Sequence, residues 1–386
     1  MTRALRLAVL GSTGSIGRQT LDVVRSLPGR FNVVGLAAGG NVTLLEEQAR
    51  LFRARLLCAG READYLQTRI AAGAVPGRWA TMEEIASHPD VDLVVVATTG
   101  AAGLAPTLAA LRAGKTVALA NKEALVMAGH LLTAEARRHG GQLRPIDSEH
   151  SGVWQCLWGE SPEAVQRIVL TASGGPFRDT PPSEMARVTA SEALRHPNWQ
   201  MGHKITVDSA TLLNKGLECI EARWLFDVPL DRIEVVLHRE SIVHSLVEFR
   251  DGSIKAQLSM PDMRLPIQCA LTYPERLPGA NVPRLDVKRM GNLSFGVPDP
   301  KQFPCLGLAL DAGRRGGTYP AVLAATDEIA VQHFLAGHIG FLDIPRLIDN
   351  ALTAHRPTPD PSLDDVLAAD AWARTFTEDR LKAKTR

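Results

Sequence analysis

The sequence has few cysteines, few aromatic residues, almost no net charge and no long hydrophobic run. Its 5 cysteines among 386 residues are widely spread and never spaced as Cys-x-x-Cys. That pattern argues against a disulfide framework or a structural zinc site and favours a reducing cytoplasm. Because 43 Lys and Arg residues balance 42 Asp and Glu residues, no overall charge attracts nucleic acid or a membrane. We therefore expect a small-molecule ligand, with neither nucleic acid nor a membrane as partner.

The first residues lack the hydrophobic segment of a secreted or membrane-spanning protein. Arg3 and Arg6 precede a short apolar run that stops at Gly11, far short of the roughly 20 residues that cross a bilayer. At roughly 100–200 residues per domain, the length predicts two or three domains. The 45% of hydrophobic residues suits a folded protein.

The first 150 residues alternate short β-branched runs with helical stretches, which is typical of parallel βαβ units. Strands are predicted at residues 5–10, 31–37, 55–58, 92–97, 116–120 and 143–146, and an Asp-Gly turn at 250–253 predicts a hairpin. Helices are predicted at 306–312, 319–336 and 363–384, the last capped by Ser362 and Asp365. We predict an α/β protein with a Rossmann-like parallel-sheet N-terminal domain (1–149), an α+β domain (150–275), a linker (276–300) and a C-terminal helical bundle (301–386).

A glycine-rich turn follows the first predicted strand. Gly11, Gly14 and Gly17 permit close approach of the backbone, and the next helix offers free N–H groups to a pyrophosphate. This pattern predicts a dinucleotide site, although the spacing departs from Gly-x-Gly-x-x-Gly and a purely structural turn is the alternative. NAD sites usually carry an acidic residue just after the second strand. At the corresponding place this chain has Gly-Gly-Asn at residues 39–41. The missing carboxylate favours NADP, although no lysine or arginine stands in that loop.

Carboxylates occur in two places that suit a cation. Asp147 and Glu149 follow the last predicted strand of the sheet, and Glu218 lies beside Asn214 and Lys215 on a helix predicted over 210–226. Oxygen ligands without histidine or thiolate suit Mg²⁺ or Mn²⁺ better than zinc. The alternatives are a solvated turn at 147–149 and a solvated helix face with a Lys215–Glu218 ion pair.

Small polar side chains also cluster in the second domain. Ser173 precedes a Gly-Gly turn, and Ser209 stands at the predicted start of the 210–226 helix; with Asn214 and Lys215 nearby, this set suits an anion such as phosphate. His196 and Trp199 form a loop that could close over a ligand and exclude water. The alternative is that both are packing residues.

Seven motifs in order resemble the 1-deoxy-D-xylulose 5-phosphate reductoisomerase family: GSTGSIG at 11–17, ANKE at 120–123, DSEH at 147–150, SGGPFR at 173–178, HPNW at 196–199, VDSAT at 207–211 and NKGLE at 214–218. The resemblance runs from the first strand to the C-terminal helices. It implies a homodimeric NADP-dependent oxidoreductase that uses NADPH and Mg²⁺ or Mn²⁺. The implied reaction rearranges and reduces 1-deoxy-D-xylulose 5-phosphate to 2-C-methyl-D-erythritol 4-phosphate in non-mevalonate isoprenoid synthesis.

The resemblance also implies residue roles, with residues 150–275 as the α+β catalytic domain with a flap loop. Lys122, Glu149 and His196 would be catalytic, and the metal ligands would be Asp147, Glu149 and Glu218. The substrate would contact Lys122, Ser148, Glu149, Ser173, His196, Trp199, Ser209, Asn214, Lys215 and Glu218. The NADPH site would be lined by Thr13, Gly14, Ser15, Ile16, Gly39, Gly40, Asn41, Asn121, Glu123 and Gly202.

One position departs from the family pattern. Some members carry lysine where this chain has Gly40, so a charge contact with the 2′-phosphate of NADPH is lost there. Either a nearby residue such as Arg61 replaces it, or the selectivity is weaker; we expect NADPH to remain preferred over NADH.

Two other functions are compatible with parts of the sequence. One is a metal-independent NADP-dependent dehydrogenase of another phosphorylated or acidic aldehyde. The other is a catalytically silent dinucleotide sensor whose second domain binds a partner.

Overall fold

The computed structural model describes residues 3–278 and 282–384, and the chain divides into two compact units. Unit 1 comprises the described residues of 1–124, 130–151 and 262–283. Unit 2 comprises those of 125–129, 152–261 and 284–386. Among the described residues, no helix combines the length and the apolar character needed to span a membrane.

Unit 1 is built on a seven-stranded sheet in the order β4-β3-β2-β1-β5-β6-β7, and every neighbouring pair is parallel. Because the order runs outward from β1 in both directions, the loops after β1 and β5 lie at the point where such sheets bind ligands. In chain order the elements up to residue 156 are β1 (Leu5–Leu10), α1 (Ser15–Ser26), β2 (Phe31–Ala38), α2 (Val42–Phe52), β3 (Leu56–Ala59), α3 (Ala63–Ala71), β4 (Arg78–Trp79), α4 (Met82–Ser87), β5 (Leu93–Val96), α5 (Leu104–Arg112), β6 (Thr116–Leu119), α6 (Lys122–His139), β7 (Gln142–Pro145) and α7 (Ser148–Cys156). Residues 125–129 of α6 and 152–156 of α7 belong to unit 2.

The central strands are buried along their length, as expected when helices cover both faces of a parallel sheet. Leu7, Leu36, Leu57 and Val95 belong to one core cluster that also holds apolar residues of α1 and α2. All six predicted strands are present. The sequence analysis missed β4, a two-residue strand that pairs with β3 and has no apolar run to mark it.

Unit 2 contains a four-stranded sheet in the order β11-β10-β8-β9. β10 is antiparallel to both β8 and β11, and β8 and β9 are parallel. The predicted hairpin is therefore confirmed, with β10 and β11 as its strands. The elements are β8 (Val165–Ala172), α8 (Ala190–Ala193), α9 (His203–Thr211), α10 (Leu213–Phe226), β9 (Ile233–Leu237), β10 (Val243–Phe249) and β11 (Ile254–Leu258).

After β11 the chain first returns to unit 1 and then forms the C-terminal helices. α11 (Arg264–Thr272) packs on α1 in unit 1. In unit 2 follow α12 (Pro304–Arg315), α13 (Tyr319–Leu335), α14 (Asp343–Ala354) and α15 (Leu363–Lys384), of which the sequence analysis missed only α14. The predicted cap of α15 is confirmed, because Ser362 Oγ accepts from Asp365 N at 3.2 Å and Asp365 Oδ2 accepts from Ser362 N at 2.9 Å.

The single helix predicted over 210–226 is wrong at its start. α9 ends at Thr211, Leu212 adopts a left-handed conformation with φ 57°, and α10 begins at Leu213. Ser209 therefore lies near the end of α9 rather than at the start of the following helix. Thr211 Oγ1 accepts a hydrogen bond from Leu213 N at 3.2 Å, which supports the reversal between the two helices.

Candidate active site

The glycine-rich turn after β1 is formed by backbone contacts that leave no space for side chains. Gly11 has a φ of +87°, and a Cβ atom added to it would lie 2.3 Å from the carbonyl oxygen of Ala97. A Cβ atom on Gly17 would lie 2.2 Å from the carbonyl oxygen of Gly11. The first turn of α1 holds no acidic residue, and Gly14 provides no side-chain cap. Its N–H groups therefore suit an anion such as pyrophosphate.

The predicted cofactor residues of the turns after β1 and β2 lie at accessible positions. Asn41 has a structural contact as well, because its Oδ1 caps α2 by accepting from Leu44 N at 3.1 Å. No acid stands in the first turn of α2. The exposed members of this set are Gly14, Ser15, Gly39, Gly40 and Asn41, and Thr13 and Ile16 are half-buried.

Asn121 connects the loops that follow β5 and β6. Its Oδ1 accepts from Ala124 N at 3.1 Å and thereby caps α6, while its Nδ2 donates to the carbonyl oxygens of Thr98 at 3.1 Å and Gly100 at 2.9 Å. Nδ2 also donates to Glu123 Oε2 at 3.1 Å. Asn121 is 1% exposed, so its amide holds the two loops of this sheet edge together.

The carboxylates that follow β7 lie beside a lysine from the neighbouring strand's loop. Lys122, at the start of α6, places Nζ 2.9 Å from Asp147 Oδ2, and both side chains are largely buried. Ser148 Oγ donates to Glu149 Oε2 at 2.9 Å. Because β6 and β7 are parallel neighbours, their carboxyl ends bring Lys122 and the 147–149 segment to one edge of unit 1.

In unit 2 three residues from separate segments meet through their side chains. His196 Nε2 lies 2.9 Å from Ser173 Oγ and 3.1 Å from Ser209 Oγ. His196 Nδ1 accepts hydrogen bonds from the backbone N–H groups of Asn198 at 3.1 Å and Trp199 at 2.9 Å. Since Nδ1 accepts twice, the ring proton of the neutral imidazole lies on Nε2, facing the two serines.

The environment of His196 keeps the imidazole neutral. Burial, helped by the positive charge of Arg178, lowers the pKa of His196 to about 4. At neutral pH the ring is therefore a hydrogen-bond donor through Nε2 and carries no charge.

The Gly-Gly turn after β8 allows Ser173 to approach α9. Gly174 and Gly175 have φ values of +81° and +63°. A Cβ atom on Gly175 would lie 2.7 Å from the carbonyl oxygen of Ser209. The backbone N–H of Gly175 donates to Ser173 Oγ at 3.2 Å, which orients that hydroxyl.

The first turns of α10 hold a buried polar group. Lys215 is 5% exposed and Glu218 is 1% exposed. The Glu218 carboxylate accepts from Asn214 Nδ2 and from Lys215 Nζ. The alternative of a solvated helix face is therefore wrong for Lys215 and Glu218.

Trp199 and Gly202 lie between His196 and α9. The indole ring of Trp199 packs edge-on against the imidazole of His244, with ring centroids 6.3 Å apart. Gly202 is the exposed N-cap of α9, and its carbonyl oxygen accepts from Thr206 Oγ1 at 2.8 Å.

Three residues beside these groups received no role from the sequence. Arg178 Nη1 donates to the Ser173 carbonyl oxygen at 3.0 Å, and Asn198 Nδ2 donates to Ser241 Oγ at 2.7 Å. His150 is fully buried, with Nδ1 4.0 Å from Asp147 Oδ2. Arg178, Asn198 and His150 stand inside the SGGPFR, HPNW and DSEH motifs, so their motif positions were the available signal.

Three family models match the chain in succession. They are described as 1-deoxy-D-xylulose 5-phosphate reductoisomerase (residues 7–129), its C-terminal domain (143–226) and the DXP reductoisomerase C-terminal domain (258–376). A reductoisomerase of Pelotomaculum thermopropionicum is 54% identical over 96% of this chain and 97% of its own length. The reductoisomerase of Thermomicrobium roseum is 52% identical, over 97% of this chain and 97% of its own length.

Solved structures of reductoisomerases have folds similar to that of this chain. A crystal structure of DOX-P reductoisomerase in complex with NADPH, fosmidomycin and magnesium has a TM-score of 0.94 and 40% identity, and covers 99% of both chains. The Zymomonas mobilis reductoisomerase in complex with NADPH has a TM-score of 0.90 and 42% identity, over 98% of this chain and 99% of its own.

Proposed function

Because this chain belongs to the 1-deoxy-D-xylulose 5-phosphate reductoisomerase family, we propose that it converts 1-deoxy-D-xylulose 5-phosphate and NADPH into 2-C-methyl-D-erythritol 4-phosphate. It is an NADP-dependent oxidoreductase of isoprenoid biosynthesis. The observation that carries this conclusion is the match over nearly the whole chain to named reductoisomerases. The side-chain contacts within each unit are consistent with the chemistry of this reaction.

We assign the reaction steps to the predicted segments. Residues 1–149 are proposed to bind NADPH and also to supply Lys122, Asp147, Ser148 and Glu149 to the catalytic site. Residues 150–275 are proposed to supply the other substrate and metal contacts, and residues 301–386 to support the catalytic segment. The predicted linker is 276–300, of which residues 279–281 lie outside the described part of the chain. In unit 1 the uncapped first turn of α1 and the open Gly-Gly-Asn loop suit the phosphates of a dinucleotide. The NADPH-contacting residues are proposed to be Thr13, Gly14, Ser15, Ile16, Gly39, Gly40, Asn41, Asn121, Glu123 and Gly202.

The donor set of the carboxylates fits a hard divalent cation. Asp147, Glu149 and Glu218 offer oxygen ligands only, which suits Mg²⁺ or Mn²⁺. We propose these three residues as the ligands. When bound, the cation supplies Lewis-acid polarisation of a substrate carbonyl, and NADPH supplies a hydride.

The remaining residues bind and orient the substrate. Lys122 and Ser148, which contact the two carboxylates of unit 1, are proposed to bind the reacting end of the sugar. Lys122 Nζ lies 2.9 Å from Asp147 Oδ2 and can also donate a hydrogen bond to a substrate oxygen.

The phosphate of the substrate is proposed to bind in unit 2. Ser173 and Ser209 already face one N–H group of His196, and Lys215 adds a positive charge with the Asn214 amide beside it. A neutral His196 can donate from Nε2. We propose that His196 and Trp199 lie in the flap that closes over the substrate and excludes water.

A spectrophotometric assay tests this function directly. We expect NADPH absorbance to fall only when 1-deoxy-D-xylulose 5-phosphate and Mg²⁺ are both present. EDTA should stop the reaction and excess Mg²⁺ or Mn²⁺ should restore it, because the proposed ligands bind a removable cation. Oxidation that survives EDTA would indicate the metal-independent dehydrogenase. An absence of oxidation under all conditions would favour the dinucleotide sensor, which the comparisons do not support.

The assembly is proposed to be a homodimer. The outer strand β11 exposes Ile254 (55%) and Leu258 (37%) at the edge of the unit 2 sheet, and such an edge favours pairing with another chain. We expect light scattering to give twice the chain mass, and Ile254→Lys to shift the protein toward the monomer. A wild-type monomer at micromolar concentration would contradict the proposal.

We also propose a cytoplasmic location. All five cysteines are free thiols in the structure, as is usual for proteins of a reducing compartment. Fractionation of the source cells would test it, and recovery of the protein outside the cytoplasm would contradict it.

A further inference from the structure

The loop after β2 contains no positively charged residue for a 2′-phosphate. Ala38, Gly39, Gly40 and Asn41 follow one another there. Dinucleotide sites place the adenosine ribose near the end of the second strand, and sites for NADP hold its 2′-phosphate with a nearby arginine. The candidate cations for this phosphate therefore lie on neighbouring elements of the sheet.

β3 is that neighbour, and its loop is joined to the loop after β2. The two strands are parallel and in register up to Ala38 and Ala59. Beyond them, Gly60 N donates to the carbonyl oxygen of Ala38 at 2.9 Å, and Arg61 N donates to the carbonyl oxygen of Gly39 at 2.6 Å. Arg61 is thus fixed through its own backbone beside the Gly-Gly turn.

The side chain of Arg61 lies over Gly40. A Cβ atom added to Gly40 would lie 3.4 Å from Arg61 Cδ and 3.8 Å from Arg61 Cβ. The arginine stem therefore lies in van der Waals contact with the place that a Cβ atom of residue 40 would take. Both residues are exposed, so a ligand can reach the guanidinium.

The charge of Arg61 is available to a ligand. Within residues 3–278 and 282–384, its guanidinium forms no ion pair and no hydrogen bond, and the following acids Glu62 and Asp64 do not pair with it. The adjacent helix α2 also begins here, and its first turn contains no acid. The positive end of the helix and the guanidinium therefore both favour a doubly charged phosphate.

We propose that Arg61, supplied by the loop after β3, binds the 2′-phosphate of NADPH and sets the preference for NADPH over NADH in this chain. This inference rests on the proposed function only in taking NADPH as the ligand. Gly40 contributes by placing no side chain beside the arginine stem. Selectivity would thus depend on the third strand's loop rather than the second.

Calorimetric titration of the full chain with 2′,5′-ADP and 5′-AMP tests the proposal without turnover. We expect Arg61→Ala to bind 2′,5′-ADP about 10- to 100-fold more weakly, which is the usual effect of losing hydrogen bonds to a charged group. Binding of 5′-AMP should not change, because that ligand lacks the 2′-phosphate. In kinetics, KM for NADPH should rise by a similar factor with kcat and the NADH parameters unchanged.

Two further variants separate a specific contact from general electrostatics. Arg25→Leu removes one exposed positive charge from the last turn of α1 and should leave both affinities unchanged. Arg61→Ala combined with Gly40→Lys should regain tight binding of 2′,5′-ADP, because a cation returns to the same place.

The proposal is overturned if Arg61→Ala binds 2′,5′-ADP as tightly as wild type, or if wild type does not distinguish 2′,5′-ADP from 5′-AMP. A chain that binds these ligands as expected but does not turn over 1-deoxy-D-xylulose 5-phosphate would contradict the proposed function and leave the role of Arg61 standing.

Discussion

We expect Glu218→Gln, which alters one of the proposed metal ligands, to lower kcat by about 10³-fold or more at saturating substrate. A metal ion contributes several kcal/mol to stabilising developing charge, and each 1.4 kcal/mol changes the rate tenfold. The substitution replaces one carboxylate oxygen by an NH₂ group that cannot bind a cation. Mn²⁺ titration followed by electron paramagnetic resonance should show the same variant to have lost tight metal binding.

The surroundings of Glu218 require a check on folding. Its carboxylate accepts from Lys215 and Asn214 and is 1% exposed, and removing one partner of a buried ion pair usually destabilises the fold. Glu218→Asp keeps a negative charge beside Lys215, so it should be more stable than Glu218→Gln in thermal unfolding. It should still lose most of its activity, because the shorter side chain withdraws the oxygens from the proposed metal site.

An exposed carboxylate gives the matched control for Glu218. Glu234 lies on β9 in the same unit and pairs with Arg167 at 2.8 Å. Glu234→Gln should therefore keep normal kcat and Mn²⁺ affinity. Near-normal turnover of Glu218→Gln at low Mg²⁺ would rule out a ligand role.

Elements with strong local signals were predicted, and elements fixed by distant contacts were not. The six apolar strands of unit 1 and the Asp-Gly hairpin follow from periodicity and turn chemistry. β4 has two residues, and its strand conformation comes from pairing with β3. The break at Leu212 has no glycine or proline to signal it in the sequence. Leu212 is left-handed and 2% exposed, in a core cluster with Phe303 and Leu306, which are distant in sequence.

The same distinction applies to the candidate site. Ser173, His196 and Ser209 could be named from their motifs, but their contact depends on Gly175 approaching the backbone of α9. The burial of Glu218 could not be read from helical spacing, because Lys215–Glu218 at i, i+3 is also common on solvated faces. Motif order identifies the residues, and tertiary packing determines their protonation, burial and partners.

Gly17→Ala is expected to weaken NADPH binding about 10²-fold and to destabilise unit 1 by about 3 kcal/mol, the upper end for forced overpacking. A Cβ atom on Gly17 would lie 2.2 Å from the carbonyl oxygen of Gly11, 2.5 Å from Cα of Ser12 and 2.7 Å from the carbonyl carbon of Ser12. All three are backbone atoms, so α1 must move away from the turn. That movement displaces the N–H groups proposed to bind the pyrophosphate.

The direction in which Gly17→Ala changes the free energy of unfolding distinguishes the backbone clash from the intrinsic helix propensity of alanine. Within a helix, alanine is favoured over glycine by about 1 kcal/mol when nothing obstructs the methyl group. Gly307 in α12 is such a position, because a Cβ atom there would meet no atom within 4 Å. Gly307→Ala should therefore raise the urea midpoint, whereas Gly17→Ala should lower it and weaken NADPH binding measured by fluorescence. If both substitutions stabilise the protein equally and the NADPH affinity is unchanged, the close contact between the turn after β1 and α1 is not required for stability or for cofactor binding.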